Sequence, residues 1–189
     1  LIALHGYQDT EDAYFDEERY GKGEIKGYAE ERGYLIVCPY GRGDSGYKGL
    51  GENDVLRVIE EVRRDYLIES DRIYMTGHSM GAEGTWLIGL KYPHLFAAIA
   101  PMAGRAPLDL IKTAQNLPVY LAHGAKDRQV DVQHSRDAYQ FLKNLGSKVV
   151  YHELPNAGHY GFVNEEFKAM FDWFDGHRSR GQGSGVRGQ

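Results

Sequence analysis

At 189 residues the chain is long enough to bury one substantial core, and its 12% aromatic content, with fourteen tyrosines, excludes an intrinsically disordered chain. A net charge of −5 leaves no electrostatic footprint for nucleic acid. One cysteine, Cys38, rules out an intramolecular disulfide and a cysteine-built metal site, and no apolar run approaches membrane-spanning length.

Apolar runs at 1–4, 34–38, 73–76, 97–101, 118–122 and 148–152 alternate with helical stretches. This alternation predicts an α/β fold, a mainly parallel sheet with helices on both faces. The first run, Leu1-Ile2-Ala3-Leu4, reads as a strand entering a His5-Gly6-Tyr7 loop. Because the chain starts inside a strand without an initiator methionine, leading strands are expected before it, so that 1–175 is an N-terminally truncated domain. A leader would lie in that missing part, so the compartment stays open. The run 34–38 is expected to be a buried strand ending in Cys38, which serves there as a small hydrophobe. Asp54 is placed as the cap of the clearest helix, 54–68, with Val55, Val58, Ile59 and Val62 on one stripe and the Glu and Arg residues on a solvated face.

The next strand, Arg72-Ile73-Tyr74-Met75-Thr76, runs into Gly77-His78-Ser79-Met80-Gly81, and a helix carrying Trp86, Leu87, Ile88 and Leu90 follows until Pro93 stops it. A bare G-x-S-x-G is only a turn. At a strand-to-helix junction it is a nucleophile elbow, in which small residues let strand and helix pass closely and the serine hydroxyl is presented at the sheet's C-terminal edge. Further on, the strand 118–122 runs into His123-Gly124, with Asp127 just beyond. An aspartate here commonly caps the next helix. Asp131 suits that task better, directly preceding the periodic run Val132, Ala138, Phe141, Leu142 and Leu145, so Asp127 is expected to be the catalytic acid.

After the strand 148–153, the loop Leu154-Pro155-Asn156-Ala157-Gly158-His159 precedes a helix expected to be capped by Asn164, with Val163, Phe167, Met170, Phe171 and Phe174 at helical spacing. Of the eight histidines, His5 and His123 sit beside glycine at strand ends, where turn packing explains them, and His78 lies inside the elbow. His94 ends a helix, His134 and His177 belong to polar segments, and His152 alternates within a strand. Only His159 follows the acid in a loop able to project an imidazole across the sheet edge. The Gly-, Ser- and Arg-rich stretch 176–189 is expected to be disordered or non-native.

Ser79, Asp127 and His159 stand in the chain order serine, acid, histidine that such an elbow requires. A serine hydroxyl is a weak nucleophile until a base takes its proton, imidazole titrates near neutrality, and a carboxylate fixes its tautomer. The oxyanion that forms needs donors already in place, expected from the backbone N–H of Met80 and of Tyr7. Loops at the strand C-termini bind ligands in open α/β sheets, which makes Gln8, Tyr160 and Phe162 the substrate-binding candidates, with Tyr40, Arg42, Tyr47 and Arg105 in the same loops.

Leu4-His5-Gly6, Pro39-Tyr40-Gly41-Arg42-Gly43, Gly51-Glu52-Asn53-Asp54-Val55, Asp71-Arg72-Ile73-Tyr74, the elbow, Tyr92-Pro93 with Phe96-Ala97-Ala98, His123-Gly124 with Asp127, and Gly158-His159 occur in order. In this the chain resembles α/β-hydrolases of the polyhydroxybutyrate-depolymerase, feruloyl-esterase and prolyl-oligopeptidase-like esterase group, from residue 1 to about residue 175. The resemblance implies hydrolysis of a small-molecule or polymer-linked carboxylic ester by a serine triad with no cofactor and no metal, Ser79, Asp127 and His159 occupying the matching positions. Ala82 departs from the more usual glycine. Two alternatives stay open: a serine peptidase domain of the prolyl-oligopeptidase type, and a catalytically silent binding module on the same fold.

Overall fold

The computed structural model describes residues 1–112 and 116–179. In chain order the elements are β1 (Ile2–Leu4), α1 (Ala13–Asp16), α2 (Glu24–Arg32), α3 (Leu50–Asp65), β2 (Tyr74–His78), α4 (Met80–Lys91), β3 (Ala98–Met102), α5 (Leu108–Ile111), β4 (Val119–Gly124), α6 (Gln133–Asn144), β5 (Val149–Leu154) and α7 (Phe167–Asp175). The described strands form one five-stranded sheet in the order β1-β2-β3-β4-β5, every pair parallel, with Leu4 opposite Gly77, His78 opposite Met102 and Gly124 opposite Leu154. Strands covered on both faces read as continuous apolar runs, which is why β1 to β4 are buried at every residue, whereas β5 at the margin is half-buried.

Alternation along each strand feeds two cores. Ala3, Tyr74, Ala98, Ala100, Met102, Tyr120 and Ala122 point to one side, where Tyr14, Ile25, Phe167, Phe171 and Phe174 cover them. Ile2, Leu4, Met75, Ile99, Val119 and Leu121 point to the other, against Val55, Ile59, Trp86, Ile88 and Leu142. The first side combines large rings with small strand residues such as Ala3, Ala98, Ala100 and Ala122, and the second is mainly aliphatic, as close packing allows. The elbow helix α4 is apolar nearly all round because it is wedged against β1, β2 and β3. Its C-terminal end is tied to α3 by buried Glu52, whose carboxylate accepts from Lys91 Nζ at 2.8 Å and from the Tyr92 hydroxyl at 3.0 Å.

Several local expectations are corrected. The run 34–38 is not a strand: only Val37 bridges Ile2, through Ala3 N–H to Val37 O and Val37 N–H to Leu1 O, both 2.9 Å. At the sheet margin its side chains are spent elsewhere, the Tyr34 ring against Phe171 with its hydroxyl on Asp175, and Leu35 exposed. Cys38 is half-buried, and burial pushes its thiol up to about 12, in keeping with an inert apolar role. Asp54 caps nothing, because Gly49 at φ 56° breaks the chain earlier and α3 starts at Leu50; the Asp54 carboxylate pairs with Arg42 instead. Asn164 also lies outside its helix. A turn with Phe167 N–H on Asn164 O precedes α7, and the Asn164 carboxamide faces the Glu24 carboxylate at 3.3 Å.

Of the stretch 176–189, the described residues pack on the body. Tyr74 donates to His177 O at 2.7 Å, Ser179 N–H to Asp71 O at 2.9 Å, and Arg178 reaches Glu69 and Asp71 at 3.0 and 2.9 Å. Residues 180–189 lie outside the described residues. Among the described residues no helix is long and apolar enough to cross a membrane.

Candidate active site

From β1 the chain passes to Val37 on one flank of that strand and returns as β2 on the other. The direction of progress across the sheet thus reverses at β1, the loops leaving β1 and β2 diverge, and a crevice opens at their C-terminal ends. Ser79 follows β2 immediately, and Gly6 to Gln8 follow β1.

Ser79 adopts φ 57°, ψ −119°, a conformation that costs a non-glycine residue about 1–3 kcal/mol. The neighbours hold it there. Ser79 N–H donates to Met102 O at 3.0 Å, extending the β2–β3 ladder, and Glu83 N–H donates to Ser79 O at 3.1 Å, starting α4. Glycine is required on both sides: a Cβ on Gly81 would overlap the Leu4 and His5 carbonyls, and one on Gly77 would overlap the Gly81 backbone. Ala82 fits because Gly104, rather than a larger residue, faces its methyl group.

His159 Nε2 lies 2.9 Å from Ser79 Oγ, and His159 Nδ1 lies 2.7 Å from Asp127 Oδ2. The structure therefore brings together three residues drawn from the loops after β2, β4 and β5. The other Asp127 oxygen accepts the N–H groups of Gln129 and Val130 at 2.8 and 3.0 Å, while Asp131 caps α6 by accepting Gln133 N–H at 2.9 Å. The two aspartates divide their tasks accordingly. Burial works against charge on Asp127, but the bonds from His159, Val130 and Gln129 outweigh it and hold the carboxyl below the usual carboxylate range. With an ionised acceptor at Oδ2, Nδ1 carries the ring proton, leaving Nε2 as an acceptor toward the serine. The histidine loop is pinned by Ala125 N–H on Leu154 O and Lys126 N–H on Ala157 O, both 2.9 Å, and it crosses so close over Gly124 that no Cβ would fit.

Two buried histidines that the sequence assigns to turn packing or to the elbow touch this group. His78 donates Nε2–H to the His159 carbonyl at 2.6 Å and packs its ring 4.7 Å from His159. Burial above all, then the nearness of His159, drives His78 down to about 3, so it is neutral. His123 Nε2 lies 3.1 Å from Asp127 Oδ2, and its Nδ1 lies 2.7 Å from Ser135 Oγ. The His-Gly-x-x-Asp spacing, which folds residue 123 back over residue 127 across one turn, was the signal for it.

The loop holding Tyr7 is clamped from below. Gly6 N–H donates to the Tyr20 hydroxyl at 3.1 Å, that hydroxyl donates to Asp9 Oδ2 at 2.8 Å, and Arg19 pairs with Asp9. Gln8, at φ 63° and exposed, donates its N–H to Asp44 at 2.7 Å. Among the described residues the Tyr7 N–H meets no acceptor, and that of Met80, first in α4, has none within the helix. Tyr160 is half-buried with its ring 4.8 Å from His159 and Arg19 above it at 5.5 Å. Phe162 is corrected: Gly161 at φ 83° turns the chain inward, and the phenyl ring is fully buried with Phe167 and Phe171, out of reach of any substrate. Tyr47 is likewise core, and Arg42 and Arg105 are engaged by Asp54 and Glu83. Among the described residues no group of three or more His, Cys, Asp or Glu side chains is arranged to hold a metal ion.

The family model described as phospholipase/carboxylesterase matches residues 53–177. Among curated proteins, a bifunctional acetylxylan esterase/xylanase of Neocallimastix patriciarum is 28% identical over 148 residues, 76% of this chain and 21% of that protein. Acetylxylan esterase A of Emericella nidulans is 27% identical over 120 residues, 55% of this chain and 36% of that protein. The chain thus spans between about a fifth and a third of the length of these relatives. Among solved structures, a thermostable esterase superposes with a TM-score of 0.80 at 21% identity, covering 94% of this chain and 54% of that one, which establishes a shared fold.

Proposed function

The chain belongs to the phospholipase/carboxylesterase family of α/β-hydrolases, and from that premise we propose that it hydrolyses carboxylic esters through an acyl-enzyme formed on Ser79. In this reading Ser79 Oγ attacks the ester carbonyl carbon while its proton passes to His159 Nε2 across 2.9 Å. Asp127 keeps the imidazole in the required tautomer and stabilises the imidazolium. The N–H groups of Met80 and Tyr7 take the oxyanion, each worth about 3–4 kcal/mol of transition-state stabilisation. The imidazolium then returns its proton to the departing alcohol. Water, deprotonated by the same nitrogen, next attacks the acyl carbon and releases the acid and free Ser79.

The observation that carries the reading is the unbroken line of polar contacts from a strained elbow serine through His159 to a buried, ionised Asp127. For the substrate, the names of the two curated relatives favour acetyl groups carried on xylan, and the exposed rings of Tyr7 and Tyr40 beside the crevice offer flat apolar faces for sugar rings. The test is covalent labelling by a fluorophosphonate with peptide mapping, alongside release of acetate from p-nitrophenyl acetate and acetylated xylan. Modification of Ser79, with turnover in Ser79→Ala falling to roughly 10³ to 10⁴ over water, is expected. A folded protein that neither reacts with the label nor turns over esters would instead be a silent binding module. Faster cleavage of amides than of matched esters would make it a peptidase.

A further inference from the structure

Asp127 is addressed by two imidazoles, not one. His159 approaches Oδ2 at 2.7 Å from the crevice side, and His123 approaches the same oxygen at 3.1 Å from the protein interior. Both groups facing His123 Nε2, Asp127 Oδ2 and the Val130 carbonyl at 3.1 Å, can only accept, so that nitrogen carries the ring proton. Its Nδ1 is then a lone pair and accepts the Ser135 hydroxyl at 2.7 Å from α6. Both side chains are buried, and burial, outweighing the nearby carboxylate, holds His123 below the ordinary histidine range, so the ring is neutral. Ser135, His123 and Asp127 thus form an inward image of Ser79, His159 and Asp127, with the acid in common.

We propose that His123 is a positioning residue for the catalytic acid: its Nε2–H, on a ring steadied from the other side by Ser135, fixes the Asp127 carboxylate and draws electron density from Oδ2, so that the pH at which the base becomes available is set partly from inside the fold. The idea rests on the ester-hydrolase reading of Ser79, His159 and Asp127. The backbone N–H groups of Gln129 and Val130 serve only Oδ1, which leaves Oδ2 to the two imidazoles. Without His123 that oxygen serves His159 alone, becomes a stronger base, and preserves the imidazolium to higher pH. A carboxylate accepting two or three N–H bonds is held well below its ordinary range, which makes each donor worth on the order of half a unit or more. The other ionisable groups facing the pair are His78 and Tyr160, whose rings lie 4.7 and 4.8 Å from His159, with Arg19 and its partner Asp9 behind Tyr160 and Glu153 beyond His123. All of them are common to the variants compared below.

The experiment compares wild type with His123→Leu, His123→Gln and Ser135→Ala, reading the pH profile of kcat/KM for p-nitrophenyl acetate. It also reads, on the resting protein, the low-field proton resonance of the Asp127–His159 hydrogen bond. His123→Leu is expected to move the acidic limb up by about half a unit and the resonance downfield. Ser135→Ala, which removes the hydrogen bond that steadies the ring and loosens its hold on Oδ2, moves both in the same direction by less. His123→Gln, whose amide N–H reaches the place of Nε2, returns both toward wild type. An unmoved limb and resonance in His123→Leu and Ser135→Ala, with only stability or kcat reduced, overturns the proposal in favour of packing, as does failure of glutamine to rescue. If His123→Leu does not fold, Ser135→Ala against His123→Gln decides alone. Should wild type turn over no ester, the functional reading fails, while the resonance still judges His123.

Discussion

His78 makes the fold sensitive to acid, and the size of the effect follows from its surroundings. The ring is fully buried, its Nε2–H is committed to the His159 carbonyl at 2.6 Å, and its Nδ1 faces the Tyr20 hydroxyl at 3.4 Å, whose own proton is given to Asp9. A second proton is poorly accommodated, hence the shift from 6.5 to about 3. A lowered histidine pKa means that the unfolded chain binds a proton that the folded chain refuses. Stability is therefore full above about 6.5 and declines as pH falls toward 3, by about 1.4 kcal/mol per unit. Between pH 7 and pH 5 this one residue removes about 2 kcal/mol. His78→Gln keeps an N–H for the His159 carbonyl but cannot titrate. Whatever it costs at neutrality, its stability should fall by about 2 kcal/mol less than that of wild type over the same interval, measured by urea unfolding at pH 7, 6 and 5. Parallel pH dependences in the two proteins would show that His78 takes up its proton in the folded state and would refute the argument.

Two further outcomes follow from the site. Asp127→Asn should lower kcat by up to about 10⁴ with the fold retained, because the imidazole turns to the wrong tautomer, whereas Asp131→Ala should leave kcat intact and cost about 1 kcal/mol through loss of the α6 cap; steady-state kinetics and thermal melts on both proteins check this, and exchanged effects on kcat would move the acid to Asp131. Gly81→Ala should destabilise by roughly 3 kcal/mol or more, since its methyl group would meet the Leu4 and His5 carbonyls rather than movable side chains; a melting temperature within a degree or two of wild type would contradict the close strand–helix crossing.

Most of the sheet is legible because strands covered on both faces carry uninterrupted apolar runs, and the positions of Ser79, Asp127 and His159 are legible because each stands in a loop just beyond a strand. What escaped depends on contacts between distant segments. Nothing local to His78 tells that the carbonyl of residue 159 will settle on it, and His123 reads as a turn histidine unless its spacing of four from Asp127 is weighed. Caps at Asp54 and Asn164 were misread because glycine and a backbone turn can begin a helix with no side-chain acceptor, leaving the polar residue free to pair with Arg42 or Glu24. Phe162 shows the same limit in one residue, since a positive φ at Gly161 decides which way its ring points.

The parts of the crevice come from the far ends of β1, β2, β4 and β5, with Ser79 and His159 80 positions apart in the chain and Asp127 and His159 32 apart. No contiguous segment contains a working fragment of it. During refolding, loop-closure entropy delays such long-range pairings relative to formation of helices like α3 or α6. Recovery of catalysis should accordingly lag behind recovery of helical signal, and any partly ordered intermediate lacking β5 is inert. On the proposed reading this amounts to a built-in delay: Ser79 meets His159 only once β5 has docked, so an incompletely folded chain would carry no activated serine.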